Sequence, residues 1–183
     1  DAGFTTFDMA DHYGSSEVIS GEFAATYGHS VAELLTKWVP EPGPTTREAV
    51  RAAVQRALDR MQTDRLAMLQ FHAWNYADPS YLDSLGYLQE LKEEGLIGHL
   101  GLTNVDTAHL RMLLHSGFDI ASNQVCFSLL DQRAATNGML ELCADHDVTV
   151  LAFGTVAGGF LTERWLGEPE PDWDRLETWS QMK

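Results

Sequence analysis

Strand-like and helix-like segments alternate along nearly the whole chain of 183 residues. The strand-like segments are short apolar runs, whereas the helical segments carry apolar residues at the spacing of one helix face. Two parallel strands need a long crossover connection, so this alternation is typical of βαβ units. The sequence therefore predicts an α/β fold with strands at 3–10, 31–39, 66–73, 97–104, 120–130 and 148–156.

The helices are predicted between these strands, and each has recognisable end signals. Thr45 and Glu48 have the spacing of a capping box, and Asp106 is the expected N-cap of a later helix. Ser15 or Ser16 is expected to begin the first helix, which Gly28 ends. The predicted helices are 15–28, 45–61, 79–95, 106–117 and 134–146.

Two architectures contain repeated βαβ units: the open doubly wound sheet and the (β/α)8 TIM barrel. The chain has no GxGxxG motif after a strand, which the open nucleotide-binding sheet usually carries. Polar residues instead follow nearly every predicted strand, as in a barrel whose strand ends share one site. We therefore predict a TIM barrel of which about six of the eight βα units are present, as one incomplete domain spanning residues 1–183. We expect both ends to be cut, and the stretch 167–175 is linker-like.

The composition excludes several classes of partner. The formal charge is −15, from 27 acidic and 12 basic residues, which argues against nucleic acid as a partner. No apolar run reaches the roughly 20 residues that cross a bilayer, so no membrane partner is expected. Cys126 and Cys143 form no CxxC pair, and we expect buried structural thiols in a cytoplasmic protein.

The polar residues at the strand ends form a set suited to proton transfer. The stretch FDMADHYG places Asp8 and Tyr13 at the end of the first strand, while Lys37 and His72 lie at the ends of the next two. A tyrosine has an ordinary pKa of about 10, and a nearby ammonium stabilises its phenolate. Such groups suit protonation of an oxygen that gains negative charge, as a carbonyl oxygen does during hydride addition.

Six segments of the chain, in register, are similar to motifs of the aldo-keto reductase family. FDMADHYGSSE resembles the signature FDTAxxYGxxE, and LLTKW and LQFHAW resemble the strands that end in the family's lysine and histidine. GLTN resembles G-[VL]-S-N, NQVCFSLLDQR resembles NQVEYSLLDR, and LAFGTVAGGFLT resembles AYGTLAGGLLT. The resemblance covers essentially the whole chain and implies the (β/α)8 barrel of that family.

The resemblance also implies a reaction and its catalytic residues. An aldehyde or ketone would be reduced to an alcohol by hydride transfer from NAD(P)H. Tyr13 would act as the general acid with its pKa lowered by Lys37, Asp8 would pair with Lys37, and His72 would orient the carbonyl. A small carbonyl compound is therefore the expected partner.

Further residues are assigned to cofactor and substrate by the same resemblance. The expected cofactor is NADP(H), with NAD(H) also possible. Ala73 stands where tryptophan often follows the histidine, which would open the substrate wall, and Trp38 and Trp74 could line it instead. Residues that would bind the cofactor are Thr103, Asn104, Gln124, Phe153, Gly154, Thr155, Val156, Gly158, Gly159 and Leu161.

Two other functions remain as alternatives. The first is an aldo-keto-reductase-like nucleotide sensor or subunit with little turnover. The second, a metal-dependent barrel hydrolase, has weak support, because no HxH or HExxH accompanies Asp11 and His12, which we expect in a solvent-facing loop. No metal ligand is predicted. We also expect that the isolated chain is not a stable, active monomer, because a barrel lacking strands exposes two parallel edges.

Overall fold

A computed structural model describes residues 3–169 and 172, and it contains one sheet of six parallel strands. Each strand pairs with its neighbour in the sequence, from the first to the sixth, with no reversal of order in the described residues. Most of the linker-like stretch 167–175 lies outside these residues. The strands are β1 (Thr6–Asp8), β2 (Glu33–Trp38), β3 (Leu66–Phe71), β4 (Ile97–Thr103), β5 (Ile120–Cys126) and β6 (Thr149–Phe153).

The sheet curls strongly about one face. β1 and β5 are separated by three strands, so their side chains would lie about 19 Å apart in a flat sheet. The side chains of Asp8 and Gln124 nevertheless form a hydrogen bond of 3.0 Å. The sheet is therefore the wall of a partial barrel, as predicted. The open doubly wound alternative is wrong, because it would require the strand order to reverse at a switch point.

Helices cover the outer face of the sheet. They are α1 (Ser16–Tyr27), α2 (Arg47–Met61), α3 (Tyr81–Glu93), α4 (Thr107–His115), α5 (Arg133–Thr136) and α6 (Met139–Asp145). The single helix predicted over 134–146 is in fact two short helices. The break falls at Gly138, whose φ of 79° is incompatible with a right-handed helix.

The ends of the longer helices agree closely with the sequence signals. Ser15 and Gly28 flank α1, and the Asp106 carboxylate accepts a hydrogen bond from the backbone of His109 at the start of α4. The predicted capping box of α2 is wrong by one residue. Thr46, not Thr45, is the N-cap, and its hydroxyl accepts from the backbone N–H of Ala49 at 3.2 Å.

The core lies between the sheet and the helices α2, α3 and α4. The apolar stripe predicted on α2 is buried from Val50 to Met61, although Ala49 at its start is exposed. Cys143 is buried as expected, and burial raises the pKa of its thiol, whereas Cys126 is partly exposed. The largest fully buried side chains include Phe71, Met61, Leu66, Leu69, Leu85, Leu88 and Leu100.

Both edges of the described sheet are open, as expected for part of a barrel. All three residues of β1 are exposed, and β1 and β6 each pair with one neighbour within residues 3–169. The helix α1 beside the β1 edge also presents apolar side chains to solvent, among them Ile19, Phe23 and Tyr27. No helix in the described part of the chain is long and apolar enough to span a membrane.

Candidate active site

An aspartate and a buried lysine form an ion pair at the carboxyl ends of the first two strands. The Lys37 ammonium donates to Asp8 Oδ2 at 2.5 Å and to the carbonyl oxygen of Met9 at 3.1 Å. Asp8 is paired in register with Leu35, so Lys37 lies two residues further along on the same face of the sheet. The lysine is only 2% exposed, and the expected Asp8–Lys37 pair is present.

Two glutamines complete the contacts of the Asp8 carboxylate. The Gln70 amide in β3 donates to Oδ1 at 2.7 Å, and the Gln124 amide in β5 donates to Oδ2 at 3.0 Å. Asp8 is therefore held by side chains from three other strands. The predicted contact of Gln124 with a cofactor stays a prediction, and its amide nitrogen is engaged here with Asp8.

Tyr13 lies beside this ion pair on the loop that follows β1. The Lys37 ammonium is 5.4 Å from the centre of the tyrosine ring, and the ring is half exposed. Partial burial, and secondly the negative charge of Asp8, raise the pKa of Tyr13 above its ordinary value. The expected lowering by Lys37 is therefore wrong for this structure. The physical reason is that burial, with the Asp8 charge added to it, disfavours the phenolate more than the sequence suggests.

The pKa of Lys37 moves in the opposite direction. Burial lowers it, and the hydrogen bond and charge of Asp8 oppose that effect without cancelling it. The two pKa values therefore shift in opposite directions: the Tyr13 phenol becomes a weaker acid, and the Lys37 ammonium becomes a stronger one. Tyr13 remains protonated across the neutral range, as a proton donor must.

Asp11 anchors the loop that carries Tyr13. Its backbone N–H donates to the carbonyl oxygen of Lys37 at 3.0 Å, and its carboxylate accepts from the backbone N–H of Val39 at 3.2 Å. The interpretation of Asp11 as a solvent-facing loop residue is therefore wrong, because both groups bind the end of β2. His12 is exposed as expected, and its ring contacts the Asp11 carboxylate.

A buried glutamate near the start of α1 supports the same loop. The Glu17 carboxylate, which is 2% exposed, accepts from the Thr36 hydroxyl at 2.5 Å and from Arg60 at 3.0 Å. Arg60 also donates to the carbonyl oxygen of Asp11 at 3.2 Å. Glu17 thus links α1 and α2 to the residue that precedes Lys37.

Sequence reasoning gave no role to Gln70 or Glu17. Gln70 had a usable signal, because it is the one polar residue within the apolar strand LAMLQF. Glu17 is the last residue of the signature-like stretch FDMADHYGSSE, but a carboxylate in the first turn of a helix is usually exposed. Its burial becomes visible only when α2 packs against α1.

His72 follows β3 and lies beside one of the two tryptophans predicted to contact substrate. The ring centres of His72 and Trp74 are 5.2 Å apart. Trp74 is 66% exposed and lines a shallow cleft with residues 40–43 and Tyr81. Trp38 instead lies in the core, where it packs on Phe71 with ring centres 5.7 Å apart. Of the two tryptophans, Trp74 is thus the one that is accessible to solvent, and its contact with substrate stays a prediction.

The residues predicted to hold a nicotinamide ring lie at the ends of β4, β5 and β6. Asn104 follows β4 with a φ of 58°, and its backbone N–H donates to the Gln124 carbonyl oxygen at 2.8 Å. The Thr103 hydroxyl is buried and has no hydrogen-bond partner within the described part of the chain. A partly buried Phe153 ends β6. These groups fit a ligand that offers both an aromatic face and a polar amide.

The loop 154–161, which is predicted to approach the cofactor phosphates, contains three glycines with a left-handed backbone. Gly154, Gly158 and Gly159 adopt φ values of 65°, 64° and 97°, which favour glycine. A Cβ at Gly159 would have nothing within 4 Å, so the backbone there is accessible. Thr155, Val156 and Leu161 are exposed on the same loop. The residues present therefore fit a dinucleotide.

Among residues 3–169 and 172, no three or more histidine, cysteine, aspartate or glutamate side chains are grouped in a way that could hold a metal ion.

The curled parallel sheet is part of a barrel whose strand ends carry the Asp8–Lys37 ion pair, with Tyr13 beside it and His72 after the next strand. Residues 1–182 match the profile of the aldo/keto reductase family. The chain belongs to this family of oxidoreductases.

Individual relatives agree with this membership. An uncharacterized oxidoreductase, YqkF, from Bacillus subtilis (strain 168) is 28% identical over 179 residues, which are 91% of this chain and 56% of that protein. An NADH-specific methylglyoxal reductase from Escherichia coli (strain K12) is 33% identical over 118 residues, 63% of this chain and 35% of that protein. The chain thus spans about half the length of the first of these relatives, and about a third of the second.

Solved structures show the same fold. An aldo/keto reductase from Klebsiella pneumoniae, in complex with NADP and acetate, has a TM-score of 0.75 and 26% identity, covering 86% of this chain and 55% of that one. The holo form of an aldo-keto reductase from Bacillus halodurans has a TM-score of 0.77 and 27% identity, covering 93% and 58%. The six strands are therefore part of an aldo-keto reductase barrel.

Proposed function

We propose that the protein containing this chain reduces an aldehyde or ketone to an alcohol, with Tyr13 as the proton donor. The observation that carries the proposal is the Asp8–Lys37 ion pair beside the Tyr13 ring, with the ammonium 5.4 Å from the ring centre. His72 lies at the end of the next strand, so all four groups lie at one end of the sheet.

The proposed cofactor is a nicotinamide dinucleotide, NADP(H) in the first place. Support comes from the Klebsiella pneumoniae relative with NADP, while the Escherichia coli relative is named for NADH. Asn104, Gln124 and Phe153 would hold the nicotinamide, and the glycines of the loop 154–161 would approach the phosphates. The cofactor would supply the hydride that reduces the carbonyl carbon.

The chain's own residues would supply the proton and the orientation. The Tyr13 hydroxyl would donate its proton to the carbonyl oxygen, so that hydride and proton together give the alcohol. Because the pKa of Tyr13 is raised, the hydroxyl would stay protonated at neutral pH until it donates to the carbonyl oxygen. Lys37 would stabilise the phenolate left behind, and Asp8 would keep Lys37 charged and in place. His72, whose ring lies next to Trp74, would donate to the same carbonyl oxygen.

Turnover by the full-length protein tests the proposal. Oxidation of NADPH and of NADH is followed at 340 nm with a panel of small aldehydes, ketones and dicarbonyls. Substrate-dependent oxidation is the expected result. Cofactor binding measured by fluorescence, with no turnover across the panel, would contradict the proposal and favour a nucleotide-binding subunit.

A further inference from the structure

We infer that Gln70 is a positioning residue for the proposed proton transfer, acting through Asp8. This inference rests on the proposed function for its kinetic consequence. Gln70 lies in β3, is fully buried, and donates from its amide nitrogen to Asp8 Oδ1 at 2.7 Å. Lys37 and Gln124 both donate to the other carboxylate oxygen, Oδ2, at 2.5 Å and 3.0 Å. Gln70 is the side-chain donor to Oδ1, so it opposes the other two and helps to determine the rotation of the carboxylate and thereby the position of the ammonium.

The register of the sheet explains why β3 supplies this contact. Lys37 in β2 is the direct pairing partner of Gln70, so the two side chains belong to one layer inside the curled sheet. Asp8 reaches the same layer from the end of β1, between the two donors. A glutamine at this register position is long enough to reach Asp8 across the layer. An apolar side chain of similar size would fill the same space but would not orient Asp8.

The next strand leaves room for the glutamine. Gly101 in β4 pairs in register with Gln70, and a Cβ at Gly101 would lie 3.0 Å from Gln70 Cγ and 2.5 Å from the Ser122 hydroxyl. The contact with Ser122 would force movement, and the contact with Gln70 would be tighter than nearly all such contacts in close-packed interiors. Gly101 is thus the residue of β4 that makes space for the Gln70 stem.

Stability alone does not account for a glutamine at this position. The Gln70 amide oxygen has no hydrogen-bond partner among the described residues, and a buried polar atom left unpaired is unfavourable. A methionine has nearly the same shape and no such atom. Features that disfavour folding, such as this unpaired buried oxygen, are concentrated at functional sites. The Gln70 amide is therefore best explained by its hydrogen bond to Asp8.

The variant Gln70→Met in the full-length protein tests this inference. It keeps the side-chain volume and removes the donor to Asp8. We expect kcat to fall about tenfold, because a small displacement of a catalytic group is costly, while cofactor affinity and Tm stay close to wild type. Gln55→Met is the matched control, since Gln55 donates to Asp59 at 2.8 Å on the exposed face of α2, and it should leave kcat unchanged.

A double-variant cycle separates action through Asp8 from any other role. If Gln70 acts through Asp8, Gln70→Met should change kcat by less than about twofold in an Asp8→Ala background, because coupled residues are not additive. Equal effects in both backgrounds would overturn the inference. So would a loss of kcat that is matched by a loss of Tm in both Gln70→Met and Gln70→Leu, since the role would then be structural.

A measurement that needs no turnover distinguishes this inference from the proposed function. Acetylation of the Lys37 amine by dilute acetic anhydride is followed by peptide mass spectrometry. Weaker pairing with Asp8 should make Lys37 at least about twofold more reactive in Gln70→Met than in wild type, while the Gln55→Met control is unchanged. If wild type shows no reduction of carbonyls, only the proposed function fails, and unchanged Lys37 labelling would overturn the positioning role.

Discussion

The Lys37 ammonium lies 5.4 Å from the centre of the Tyr13 ring, yet the pKa of Tyr13 is raised and that of Lys37 is lowered. Burial is the largest cause of both shifts, and it disfavours the phenolate of Tyr13 and the ammonium of Lys37. We expect carbonyl reduction by the full-length protein to decline on the alkaline side as Lys37 is neutralised, below the ordinary lysine pKa of 10.5. The rate is full at pH values well below the lowered pKa of Lys37, because Lys37 and Tyr13 are both protonated there.

The variant Lys37→Arg checks which group sets this alkaline limit. An arginine stays charged to a pH above about 12, so the remaining titration is that of Tyr13. We expect a lower kcat/KM, because the geometry changes, and an alkaline limb moved to higher pH. A limb that stays at the wild-type position would show that Lys37 does not set it.

Replacing Tyr13 with phenylalanine should remove the proton donor with little effect on folding. We expect kcat/KM for carbonyl reduction to fall roughly 10²- to 10⁴-fold, the usual contribution of a positioned acid. Tm should stay close to wild type, because the side chain is half exposed. Tyr27→Phe, on the exposed face of α1, is the control. Near-normal turnover by Tyr13→Phe would show that another group protonates the substrate.

Two helical glycines should respond oppositely to alanine. A Cβ at Gly21 in α1 would lie 2.3 Å from the backbone oxygen of Arg60, because α1 and α2 are in close contact there. We expect Gly21→Ala to destabilise the fold by about 1–3 kcal/mol. Gly86 in α3 has nothing within 4 Å of such a Cβ, and Gly86→Ala should stabilise by about 0.5–1 kcal/mol. Urea denaturation of the full-length protein measures both, and equal effects would contradict the close α1–α2 contact.

Removing the partner of a buried carboxylate should be costly. Arg60→Met leaves Glu17 without its cation, and we expect a loss of about 3 kcal/mol in the free energy of unfolding. Arg51→Met breaks a solvent-exposed ion pair with Glu94, so it should cost far less. The double variant Glu17→Gln with Arg60→Met should recover part of the loss. If the two single arginine variants are equally stable, Glu17 is not an electrostatic anchor.

The isolated 183-residue chain should self-associate. Its β1 edge and the apolar face of α1, with Ile19, Phe23 and Tyr27, are open to solvent. Unprotected parallel edges next to apolar surface favour pairing with other chains. We expect sedimentation velocity to show oligomers or aggregates, and no cooperative unfolding transition. A monomer with a sharp transition and measurable NADPH turnover would contradict this expectation.

Local sequence patterns were sufficient to predict most secondary-structure elements and several catalytic candidates. Periodicity located all six strands, and side-chain caps such as Asp106 are determined by neighbours within one turn. The resemblance to aldo-keto reductase motifs likewise implied the pairing of Asp8 with Lys37. The break in the predicted helix at 134–146 was missed because a glycine such as Gly138 is tolerated in helices often enough to be ambiguous.

Burial and long-range contact were decided only by the tertiary structure. The hydrogen bond between Gln124 and Asp8 depends on how far the sheet curls. The burial of Glu17 depends on the packing of α2 against α1. The predicted direction of the Tyr13 pKa shift was wrong because it, too, depends on burial and on contacts between distant segments. A sequence shows that a lysine, an aspartate and a tyrosine are present, but the balance of burial and charge depends on distances that exist only once the chain has folded.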